Sequence, residues 1–186
     1  HNIKFKDALS VLRVLKSNLI TQGPEIQKFE KKICKTTNSK FSIALNSATS
    51  ALHLACLSLG LKENDIVWTS SITFVASANC ARYCGAKVDF IEIDPINGLI
   101  NINRLEEKLK ESQKLKKLPK IIIPVHLGGA SCDMKSLSIL SMKYGFKIIE
   151  DASHAIGGSY RDQPVGSCRY SDLTVFSFHP VKIITT

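Results

Sequence analysis

The sequence predicts an α/β fold built on a mostly parallel sheet, and two observations carry that prediction. From Phe41 onward, apolar runs of strand length alternate with stretches of helical periodicity, which implies parallel strands joined by crossover helices. The second is bulk: 186 residues, 44% of them hydrophobic, with a mean hydropathy of +0.04, suffice for one globular domain with a substantial core.

Taken in order, Gly23-Pro24 opens a helix whose apolar positions Ile26, Phe29 and Ile33 share one face, with proline early, where its missing N–H costs nothing. Residues 1–40 are therefore expected to form a helical segment packing on the core, and residues 41–186 the α/β unit. Strands are expected near 41–46, 65–70, 87–94, 120–125, 147–151 and 173–178, and helices near 48–60, 74–84, 101–113 and 134–144. Residues 152–172 form the longest irregular stretch, with Gly157-Gly158 and Gln163-Pro164-Val165-Gly166, and are expected to be a functional loop or a hairpin. In such a fold ligands sit at the carboxyl ends of the strands, where Asp151 and Lys182 are expected.

Composition narrows the function classes. No apolar run reaches the roughly 18 residues of a membrane span, and the first 30 residues lack the order of a secretory signal, so a cytoplasmic protein is expected. Cys34, Cys56, Cys80, Cys84, Cys132 and Cys168 have no paired spacing and no compact histidine partners, which favours reduced thiols and no metal site. The net charge of +9 invites a nucleic-acid reading. However, Lys108, Lys110, Lys114, Lys116, Lys117 and Lys120 fall in one stretch interrupted by Glu111 and Pro119, the pattern of a solvated face. No G-x-G-x-x-G follows a strand, so a dinucleotide site has no support beyond fold class.

The residues that carry chemistry cluster late. Lys182 lies just past the apolar run that ends at Phe178, and Asp151 ends the run Lys147-Ile148-Ile149-Glu150-Asp151, with His154 three residues on. An amine and a carboxylate at one sheet edge are what pyridoxal phosphate requires: a covalent anchor and a partner for the ring nitrogen. Each residue also has an ordinary reading: Lys182 as a solvated lysine, Asp151 as a cap, His154 as a buried core histidine. Asn46-Ser47-Ala48-Thr49 links a strand to a helix, whose N-terminus either is simply capped or offers its N–H groups to a phosphate. His126 and His179 also lie near strand ends and are assigned no chemical step.

These words resemble the DegT/DnrJ/EryC1/StrS sugar aminotransferases, fold-type I pyridoxal-phosphate enzymes. The resemblance spans Thr21-Gln22-Gly23-Pro24-Glu25, Asn46 to Leu52, Thr73-Phe74-Val75-Ala76-Ser77-Ala78-Asn79-Cys80, Tyr160 to Asp172 and the closing segment through Thr186. It implies a three-layer α-β-α large domain, with Ala48, Thr49 and Ser177 holding the cofactor phosphate. Phe74 would stack on the ring, Asp151 would face its nitrogen and His154 would lie beside it. Lys182 would be both covalent anchor and proton carrier, its amine partly neutral; related dehydratases carry histidine there. Thr21 would line the substrate side. The implied reaction moves an amino group from L-glutamate to carbon 4 of a UDP-linked 4-keto-6-deoxy-N-acetylhexosamine, within a homodimer whose sites lie at the subunit interface. The resemblance covers the first half of such enzymes, which implies a missing last strand and small domain and an unprotected edge at 41–46. His1 is expected to be a tag remnant, a processing product or a cut end. A catalytically silent remnant and a nucleic-acid-binding domain are the alternatives.

Overall fold

A computed structural model describes residues 2–186. Two helices open the chain, α1 (Phe5–Leu15) and α2 (Pro24–Thr37), followed by α3 (Ala48–Ser58) and β1 (Ile66–Ser70). Then come α4 (Ala76–Tyr83), β2 (Lys87–Ile91), α5 (Ile102–Lys114), β3 (Ile121–Ile123), a single 3-10 turn at Leu127–Gly129, and α6 (Met134–Tyr144). β4 (Lys147–Asp151), the short pair β5 (Ser159–Tyr160) and β6 (Gln163–Pro164), and β7 (Leu173–Val175) complete it.

Five strands form one sheet in the order β2-β1-β3-β4-β7, every neighbouring pair parallel. Helices cover both faces, which is why the inner strands read as unbroken apolar runs. Successive side chains point to opposite faces. Ile121, Ile123 and Ile149 thus join Leu52, Cys56 and Cys80 of α3 and α4 in one layer. Trp68, Ile122 and Ile148 join Leu105, Leu109 and Leu137 of α5 and α6 in the other. The helix starts are set locally: Ser47 Oγ accepts from Ser50 N at 3.1 Å, Asn101 Oδ1 from Asn103 N at 3.0 Å, and Asp133 Oδ1 from Ser136 N at 3.3 Å. The chain runs from β1 to β2 on one side and then to β3 on the other, a reversal that opens a crevice at the carboxyl ends of β1 and β3.

Several expectations are corrected. Residues 41–46 form no strand: they pair with no strand among the described residues. Their polar groups turn to α2 instead, Ser42 Oγ donating to Glu30 O at 2.8 Å and Ala44 N to Glu30 Oε1 at 2.9 Å. Phe41 and Ile43 stay more than three-quarters exposed. The apolar alternation there marks a face to be covered, and a ladder needs a backbone neighbour that the described residues do not supply. The last strand ends at Val175, so Lys182 sits seven residues further on, in a turn, rather than directly at a strand end. The strand expected over 87–94 stops at Ile91, the chain then folding back through an antiparallel bridge between Ile93 and Ile100. The stretch 152–172 does contain a hairpin, β5–β6. On α2, Phe29 packs edge-on against Phe178 at 5.0 Å while Ile26 is 39% exposed; α1 carries no buried residue.

Candidate active site

Strand β4 places two adjacent carboxylates on opposite faces of the sheet, both buried: Glu150 is 5% exposed and Asp151 4%. Burying a carboxylate is tolerable only with donors around it, and each has them. Asp151 Oδ2 accepts from Ser77 Oγ at 2.6 Å, and Oδ1 accepts from Ser153 N at 3.2 Å and Ser153 Oγ at 2.7 Å. An ionised carboxylate only accepts, so Ser77 spends its proton on Asp151 and takes a hydrogen bond from Thr73 Oγ1 at 2.7 Å. This hydroxyl relay ties the first turn of α4 and the segment just before it, where Phe74 lies, to the end of β4. Phe74 itself is 72% exposed, not core.

Lys182 is brought to His154. The turn after β7, closed by Lys182 N donating to His179 O at 2.8 Å, sets Lys182 Nζ 2.9 Å from His154 Nε2. On the ring's other side, Gly128 N lies 3.4 Å from Nδ1. Ser177 is buried, its Oγ accepting from His179 N at 3.4 Å. Ala48 and Thr49 are the first two residues of α3; Ser47 caps Ser50, and no hydrogen bond engages the N–H groups of Ala48 or Thr49 among the described residues. Thr21 is exposed between α1 and α2, and no hydrogen bond joins it to the other named residues. The structure therefore joins Lys182 to His154 directly and Asp151 to the Phe74 turn through two hydroxyls.

Sequence reasoning missed Ser77, Ser153 and Gly128. The spacing of Asp151 and Ser153 was a usable signal for a local side-chain turn. Ser77 stands 74 residues from the carboxylate it serves, and only its helical spacing from Thr73 pointed to a paired hydroxyl. His126 belongs to the opposite face: it is fully buried, accepts from Cys132 N at Nδ1 (3.1 Å) and lies 2.8 Å from Glu150 through Nε2.

The thiols are poorly placed for chemistry. Cys56 and Cys80 are fully buried 3.7 Å apart, and the hydrogen bond that Cys56 donates to Cys80, with burial, pushes the Cys56 thiol up. Burial pushes Cys132 from 9.0 up to about 12. A thiol held so high leaves almost no reactive thiolate at pH 8. Timed iodoacetamide labelling of the native chain is expected to spare Cys56, Cys80 and Cys132, with all three reacting in urea; rapid native labelling of Cys132 would contradict the buried assignment. No group of three or more histidine, cysteine or acidic side chains suited to a metal occurs among the described residues.

The family model for the DegT/DnrJ/EryC1/StrS aminotransferases matches residues 2–186. The chain belongs to this family. It is 43% identical over 187 aligned residues to a UDP-4-amino-4,6-dideoxy-N-acetyl-beta-L-altrosamine transaminase of Campylobacter jejuni, covering 100% of this chain and 47% of that relative. Among solved structures, a putative sugar aminotransferase of Streptococcus pneumoniae, Spr1654 in its PLP form, superposes with a TM-score of 0.87 at 29% identity, over 99% of this chain and 49% of that one. Helicobacter pylori PseC, an aminotransferase involved in the biosynthesis of pseudaminic acid, superposes with a TM-score of 0.86 at 32% identity, over 98% and 47%. The chain thus spans about half the length of the relatives it matches, and its α/β fold is that of the family's sugar aminotransferases.

The residues present fit pyridoxal phosphate. Asp151 is a buried carboxylate whose Oδ2 carries a single hydrogen-bond donor and so has a lone pair left for a ring N–H. Lys182 faces an imidazole rather than a carboxylate, and the free N–H groups that begin α3 suit a phosphate.

Proposed function

We propose that this chain forms the cofactor-holding part of a pyridoxal-phosphate-dependent aminotransferase. The enzyme would move an amino group from L-glutamate to carbon 4 of a UDP-linked 4-keto-6-deoxy-N-acetylhexosamine. The observation that carries the reading is a half-buried lysine whose amine meets a histidine ring, with a buried, hydrogen-bonded aspartate three residues before that histidine. The sugar rests on likeness to the Campylobacter jejuni transaminase.

Pyridoxal phosphate, when bound, supplies an aldehyde that takes up an amine and a ring that withdraws electrons from the reacting carbon. The protein's own residues do the rest. Asp151, fixed by Ser77 and Ser153, would hold a proton on the ring nitrogen. Ala48 and Thr49, with the Ser177 hydroxyl, would bind the phosphate, and Phe74 would stack on the ring and exclude water from one face. Lys182 Nζ would hold the cofactor covalently and then carry a proton to carbon 4 of the sugar, with His154 orienting the amine. Thr21 would contact the sugar nucleotide. A second copy would complete the site in a homodimer, which accords with the exposure of Ile72, Phe74 and Val75.

Incubation with pyridoxal phosphate, reduction with borohydride and peptide mass mapping test this reading. The expected result is one pyridoxyl adduct, on Lys182. Adducts spread evenly over surface lysines, or none, would overturn it in favour of a catalytically silent member of the family.

A further inference from the structure

We propose that the Leu127–Gly129 turn sets the tautomer of His154, placing the ring proton on Nε2 so that His154 donates to the amine of Lys182. A backbone N–H can only donate, so Gly128 N, 3.4 Å from Nδ1, requires a lone pair on that nitrogen. In a neutral imidazole the proton then sits on Nε2, which lies 2.9 Å from Lys182 Nζ. The hydrogen bond therefore runs from ring to lysine. The lysine form that accepts it is the free amine; an ammonium would set its own proton against Nε2–H. The free amine is also the form that adds to a carbonyl.

The turn is shaped for this contact. Gly128 and Gly129 have φ of 62° and 90°, in the left-handed region. A Cβ on Gly129 would lie 2.8 Å from His154 O, so only glycine lets the turn approach the histidine this closely. The turn is held from behind: Gly129 N donates to His126 O at 3.1 Å, and His126 N to Asp151 O at 3.0 Å. His126 shows the same arrangement in a setting where the direction is unambiguous. Cys132 N donates to its Nδ1 at 3.1 Å and its Nε2 faces the Glu150 carboxylate at 2.8 Å, so its proton is on Nε2.

The inference rests on Lys182 being the carbonyl-reactive amine, and its test separates the two. Long-range proton–nitrogen NMR of the cofactor-free protein, labelled with 15N-histidine, at pH 8 is expected to show His154 with a protonated Nε2 and an unprotonated Nδ1, matching His126 as internal standard. A proton on Nδ1, or on both nitrogens, would overturn the proposal whatever Lys182 does with a carbonyl. The rate of Lys182 capture by pyridoxal phosphate and borohydride supplies a second reading. His154→Leu is expected to slow it about fivefold, the loss of one ordinary hydrogen bond, and His154→Gln, whose amide can donate, to restore most of it. Equal rates in all three proteins would also overturn the proposal. Wild-type protein that captures nothing at Lys182 would refute the cofactor site, leaving the NMR result to decide the tautomer.

Discussion

Lys182→Ala is expected to abolish covalent capture of pyridoxal phosphate while leaving the melting temperature within about 4 °C of wild type. The contrast follows from how little Lys182 does for the fold and how differently it is placed from other lysines. Its side chain is half-buried and makes one hydrogen bond, to His154, in a turn held by backbone contacts. Removing such a group costs on the order of 1 kcal/mol or less. Several other lysines are engaged by carboxylates, among them Lys108 with Asp89 at 2.7 Å, Lys120 with Asp65 at 2.8 Å, Lys143 with Glu106 at 3.0 Å and Lys147 with Asp172 at 2.8 Å. A carboxylate favours the ammonium form, which cannot attack a carbonyl. Lys182→Arg separates charge from nucleophilicity, since guanidinium keeps the cation without a reactive lone pair. It should match the alanine variant in capture. Wild-type levels of adduct in either variant, mapped to other lysines, would remove Lys182 from the proposed chemistry.

The sequence made the interior legible and the contacts between distant segments much less so. β3 and β4 were readable because isoleucines buried on both faces leave an unbroken apolar run, and Asp151 at the end of β4 stood out by ending one. Residues 41–46 show the limit: their alternation reports which side chains want cover, whereas a strand requires a backbone partner, and the described residues offer only Glu30. The position of Lys182 shows another, since apolar residues after Val175 extend the run without extending the ladder. Pairings such as Ser77 with Asp151, or Gly128 with His154, depend on how crossover helices return to the sheet, which no local pattern encodes.

Glu150→Ala is expected to destabilise the chain by about 3–5 kcal/mol, the combined cost of leaving buried donors unpaired and opening a cavity in the interior. The carboxylate is 5% exposed and satisfies several donors at once. Oε2 takes the Nε2 proton of fully buried His126 at 2.8 Å; Oε1 takes the hydroxyls of Ser171 and, at 3.0 Å, Thr174. Alanine would strand the imidazole N–H in an apolar interior with no substitute acceptor, and leave a cavity where the carboxylate stood. Glu150→Gln is expected to cost far less, about 1 kcal/mol, because its carbonyl can face His126 while its amide donates to hydroxyls that can turn to accept. Urea denaturation of both variants decides the matter: equal costs below about 1 kcal/mol would show that His126 finds another partner. The consequence reaches the other face of the sheet. His126 N bonds to Asp151 O, and Asp151 N to Pro124 O, so the segment that Glu150 holds is the one that fixes the aspartate. An alanine variant that still folds should therefore bind pyridoxal phosphate more weakly than the glutamine variant, although Glu150 faces away from the candidate site.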